Sequence, residues 1–147
     1  MSRKQSSHRP IAIRPPPGLR PRLTRERLCE LGLIHIGLVD TLISGTADLN
    51  VLWEWMAGVL TWSRVAQVCQ LGEAEINVVA SLAVAMAERY EQTGRIVLSE
   101  DEKEVLREGS VVMDLLAQSV DLETAEAVAD WSRAHISSLK QPLPPVN

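Results

Sequence analysis

A chain of 147 residues, 46% hydrophobic and 23% charged, is long enough for one domain with its own core, and its two cysteines are too few for a disulfide framework. The net charge of -4 conceals a polarity: residues 1–27 hold eight basic residues and one acid, +7, while residues 28–147 hold seven basic residues and eighteen acids, -11. Such asymmetry marks the N-terminal segment as an interaction arm.

No apolar stretch of the secretory kind follows the charged N-terminus. The longest uncharged apolar run, Ile76 to Ala87, is shorter than the about 20 residues that a spanning helix requires. A cytoplasmic location without membrane contact is the expectation.

In chain order, residues 1–23 read as a disordered basic arm. Pro10, Pro15, Pro16, Pro17 and Pro21 remove backbone donors and fix φ, which opposes both helix and sheet. A first helix is predicted from Thr24, an N-cap flanked by Leu23 and Leu28 as a hydrophobic staple. Leu28, Leu31, Leu38 and Leu42 keep helical spacing up to a stop at Gly45. Gly32 and Gly37 either weaken this helix or admit another backbone at close range. Thr46 or Asp48 caps the second helix, about Leu49 to Gln70, and the third runs from about Glu73 to Gln92 with Gly94 as its stop. "GRIVLS" is a short extended link. Ser99 and Glu102 form a capping box for a fourth helix over about 100–119, and Asp121 caps a fifth that reaches about Lys140. Residues 141–147 are a tail containing the chain's single P-x-x-P, Pro142 to Pro145, so an SH3-type ligand reading of the arm has no support. The fold expected is all-α: about five helices in a compact bundle over residues 24–140, strand signals being scarce.

The second helix carries two apolar stripes. Leu49, Leu52, Trp53, Met56, Val59 and Leu60 form one, and Val51, Trp55, Gly58, Trp62, Val65 and Cys69 the other. The third adds a small-residue ridge of Ala80, Ala83 and Ala87. Such a helix is either central or shared with a partner. Five short helices cannot easily hide both stripes, so a homo-oligomer, most simply a twofold dimer, is expected. Its interface residues would be Val51, Trp55, Trp62, Val65, Val79 and Ala83.

Searches for chemistry exclude more than they find. No nucleophile elbow, phosphate-binding loop, dinucleotide fingerprint or metalloprotease motif occurs, and no cofactor or metal is implied. His35 and Cys29 are six residues apart, the wrong spacing for one helical face. His135 lies four residues after Trp131, within stacking reach. Cys29 and Cys69 read as buried free thiols, and the acids at 100, 101, 102 and 104 as a solvated helix start. Ala66, Leu71 and Ile76 have helix-turn-helix spacing, but Glu73 and Glu75 would repel phosphates at the end that enters a groove. The arm is the better nucleic-acid candidate, through Arg3, Lys4, Arg9, Arg14, Arg20 and Arg22. The same arm suits an acidic protein surface, the chain's own body included.

"LISGTADLNVL", then "RYEQTGRIVLSEDEKEVLREG" and "DLL", resembles small all-helical proteins encoded in bacterial prophages and plasmids. The resemblance spans about residues 28–140. It implies an all-α fold and an accessory role in a mobile element, with no site residues to carry over. The expected function is that of a non-enzymatic, self-associating interaction protein with an electrostatic arm; the alternative is a DNA-binding accessory or regulatory protein.

Overall fold

The computed structural model describes residues 20–139, which form five helices: α1 Arg25–Ser44, α2 Leu49–Cys69, α3 Glu73–Thr93, α4 Glu100–Ser119 and α5 Leu122–Leu139. Most boundaries follow from local chemistry. Thr24 accepts from the Arg27 N–H, Asp48 from Val51, and Asp121 from Thr124, so three helix starts have a side-chain oxygen on an otherwise orphaned donor. At α4 the capping box is reciprocal: Ser99 accepts from the Glu102 N–H at 3.2 Å, and Glu102 accepts from the Ser99 N–H at 2.9 Å. Gly45 and Gly94 end α1 and α3 with φ of 76° and 67°, the left-handed conformation a glycine adopts without strain. The end of α2 is different. Gln70 takes that conformation, with φ 52°, and Leu71 donates to the Ala66 carbonyl at 3.1 Å.

Helix α2 is central. It packs against α1, α3, α4 and α5, and each apolar stripe sends part of its residues into the protomer core: Leu52 and Val59 from one, Trp55 and Val65 from the other. Trp55 is 1% exposed, and Val65, Val79 and Ala83 are also buried. These four expected interface residues are corrected to core positions. The physical reason is that neighbouring helices of the same chain pack on α2 and α3 and cover these four positions. Val51 is half-buried, and Trp62 is half-buried on the side facing α1 and α4.

The third helix returns antiparallel along α2, since Ala83 and Val84 share one groove with Met56 and Leu60. A helix-turn-helix would instead cross steeply. Ala66 and Ile76 are buried as that motif would have them, but Leu71 is exposed. Against α4 the third helix packs closely: a Cβ on buried Gly109 would lie 2.6 Å from Val79 Cγ2. Gly32 and Gly37 have no such role, because a Cβ on either meets nothing within 4 Å.

The N-terminal arm was expected to extend through residue 23, but residues 20–23 are docked. Leu122 donates its N–H to the Pro21 carbonyl at 2.8 Å, and Arg22 donates to the Gln118 carbonyl at 3.2 Å. Both groups belong to helix ends, α5 and α4, that would otherwise lack partners. Arg20 lies 3.8 Å from Asp121, and Leu23 packs against the core. The rest of the arm, residues 1–19, and the tail from residue 140 lie outside the described residues. The two cysteines are corrected as well: both are exposed. The Cys69 thiol is pushed above its ordinary value, by desolvation and by the charge of Asp121. Among the described residues, no helix is long and apolar enough to cross a membrane.

Candidate binding groove

On α2, residues 53, 57, 60 and 64 recur at helical spacing and share a face. Helix α5 covers only the later part of that face. It starts beside the end of α2, where Asp121 acts on Cys69, and Arg64 lies over the Trp131 ring at 5.1 Å. One turn further on, Ile136 reaches the wall of an open cleft. Among the described residues, no helix covers this face of α2 nearer its N-terminus. The result is a groove of about 720 Å³ between α2, α3 and the end of α5.

Trp53 and Ala57 line the α2 side, Ala80 and Val84 the α3 side, and Ile136 the α5 end. Trp53 is 51% exposed, in contrast to Trp55 two residues later, and Val84 is 55% exposed. The polar content is small. Among the described residues, Glu54 is the single charged side chain in the lining, with Asn50 and Ser63 beside it. Ser63 Oγ is buried and has no hydrogen-bond partner there. One carboxylate without a second titratable group is no acid–base pair. This lining suits an apolar segment carrying a few polar atoms.

A smaller groove of about 320 Å³ lies between α1 and α4, with Trp62 of α2 in its wall. His35 lines it; its Nε2 is buried without a partner, and burial pulls its pKa below the ordinary 6.5, so the ring is neutral at pH 7. Asp114, on the opposite wall, accepts from Gln118 at 2.9 Å. Ile36 and Val111 are more than half exposed there, and Leu33 and Leu115 add further exposed apolar surface on the same two helices.

Outside the grooves, three of the acids that open α4 have partners. Glu102 binds Arg89 through two hydrogen bonds of 2.8 and 2.5 Å, while Glu100 pairs with Lys103 and Glu104 with Arg107. Arg89 also donates to the Val97 carbonyl, which ties the α3–α4 link to both helices. The Arg89 guanidinium holds the Glu102 carboxyl down at about 2. His135 stacks on Trp131 with ring centres 4.5 Å apart. Among the described residues, no group of three His, Cys, Asp or Glu side chains could hold a metal ion.

The site residues expected from sequence are thus dispersed. Ala83 forms part of the groove wall, Trp62 lies in the smaller groove, and Trp55, Val65 and Val79 lie in the core. Arg20 and Arg22 are engaged with the chain's own α4–α5 junction, while Arg3, Lys4, Arg9 and Arg14 lie outside the described residues. Trp53, the indole in the groove lining, was legible only as a member of the first apolar stripe. The missing signal was which part of α2 its neighbours would pack against. The chain matches no family model, no curated protein and no solved structure.

Proposed function

We propose that this chain is a non-enzymatic helical interaction protein whose receptor surface is the α2–α3–α5 groove and whose basic arm adds electrostatic contact with an acidic partner. One observation carries the reading: a half-exposed Trp53 in an apolar groove, on a helix whose core is otherwise closed. Exposed tryptophan in a concave apolar setting is the kind of group that dominates binding energy when a partner covers it. The cytoplasmic setting and the accessory role in a mobile element belong to the same proposal.

Self-association is the second part of the proposal, and it uses the other apolar surface, where Ile36 and Val111 edge the smaller groove. Light scattering with mass measurement on the full chain tests it. The mass should rise from 16.2 kDa toward twice that value as concentration increases, and Val111→Glu should hold the chain at the lower mass with unchanged helicity. A full chain that stays monomeric up to millimolar concentration removes the self-association reading.

A further inference from the structure

We propose that the α2–α3–α5 groove binds a small lipophilic cation, a protonated or quaternary nitrogen on an apolar body. The inference rests on the reading of the groove as a receptor and names the class of ligand it takes. Charge carries it. Among the described residues, Glu54 is the one charged side chain in the lining, and no ion pair there neutralises it. Because α3 runs antiparallel to α2, Glu88 and Glu91, four and seven residues after Val84, continue the same face toward the Glu54 end. Both are exposed, and neither has an ion-pair partner among the described residues. The cations toward the other end are engaged: Arg64 lies over the Trp131 ring, and Arg133 pairs with Asp130.

The rest of the lining fits the apolar body of such a ligand. Trp53, next to Glu54 in the chain, is half exposed in the same groove. An indole face attracts a cation through its quadrupole and repels an anion, so indole and carboxylate select the same sign of charge. Ala57 and Ala80 leave room for the body, and Val84 and Ile136 bound it. The volume of about 720 Å³ lies within the range of small-molecule sites, about 300–1,000 Å³. Polarity returns at Ser63, whose Oγ is buried without a partner. Ser63 lies nine residues after Glu54, about 13 Å along the α2 axis. A ligand with its nitrogen at Glu54 therefore lays its apolar body along α2 and reaches a free hydroxyl at the far end.

The test titrates two fluorescent probes against the full chain and four variants: rhodamine 6G, an apolar cation, and N-phenyl-1-naphthylamine, an uncharged apolar molecule. Glu54→Gln should weaken rhodamine 6G binding about three- to tenfold and leave the uncharged probe within about twofold. Glu75→Gln removes the same charge nine residues before Val84, on the opposite side of α3, and should change neither. Trp53→Ala should weaken both probes, and Val84→Arg, which puts a cation into the wall, should abolish rhodamine 6G binding. Trp53, Glu54 and Val84 are exposed, so these variants should keep the fold, which circular dichroism checks. Equal losses from Glu54→Gln and Glu75→Gln indicate diffuse attraction to an acidic surface and overturn the site. Binding of both probes that depends on Trp53 but not on Glu54 overturns the cation and leaves the receptor reading intact. No binding sensitive to Trp53→Ala or Val84→Arg overturns both.

Discussion

Replacing Gly109 by alanine sets two opposed effects against each other at the α3–α4 contact. Alanine in a helix interior is favoured over glycine by about 1 kcal/mol. Against that, the new Cβ would lie 2.6 Å from Val79 Cγ2, whereas carbon atoms settle at about 3.5–4.0 Å. Val79 is buried and β-branched, so its χ1 has essentially one helical well and cannot swing away. The helices must separate instead, and overpacking of this kind costs about 1–3 kcal/mol. A net loss of about 1 kcal/mol is expected from urea denaturation followed by far-ultraviolet circular dichroism. Val79→Ala alone should cost about 2 kcal/mol, for two lost methyl groups and the space they leave. In that background Gly109→Ala should become favourable by about 1 kcal/mol, because the new methyl enters the vacated space. The change of sign is a coupling of about 2 kcal/mol. Gly37→Ala is the control: its Cβ meets nothing within 4 Å, so it should stabilise by about 1 kcal/mol. If Gly109→Ala stabilises the wild-type chain as Gly37→Ala does, the close approach of α3 and α4 argued above is wrong.

Gln70→Gly should raise stability by about 1 kcal/mol, since a left-handed cap is strained for glutamine and not for glycine; the urea midpoint measures it. Glu102 ionises at about 2 in the folded chain and at 4.5 ordinarily, so its contribution is complete above pH 4.5 and is lost as pH falls toward 2. Glu102→Gln should therefore flatten that acid limb in a pH series of denaturation midpoints, and an unchanged limb would show that Arg89 does not hold the carboxylate. Trp55→Ala should cost about 3–5 kcal/mol and Trp53→Ala no more than about 0.5 kcal/mol, a contrast set by burial and read from denaturation curves. If the arm binds duplex DNA, affinity should fall steeply with salt and disappear on deletion of residues 1–19. Arg20→Ala and Arg22→Ala should change it little, because both side chains are engaged at the α4–α5 junction; a large loss in a salt-series binding assay would contradict that.

Local chemistry in the sequence determined the helices themselves. Thr24, Asp48, Ser99 with Glu102, and Asp121 cap helix starts, while Gly45 and Gly94 end helices by adopting the left-handed conformation. Each of these devices acts within about four residues, and for that reason periodicity and capping rules are enough to find them. The two apolar stripes of α2 were equally visible, but not what would cover them. That depends on how many helices surround α2 and how far each reaches, which is a property of the assembled bundle. Neighbouring helices bury Trp55 and Val65, while Trp53 stays half exposed in the groove that Ile136 of α5 also lines. The arm shows the same division. Its charge was plain in composition, whereas only packing decided that Pro21 and Arg22 complete the backbone hydrogen bonding of two helix ends nearly a hundred residues away.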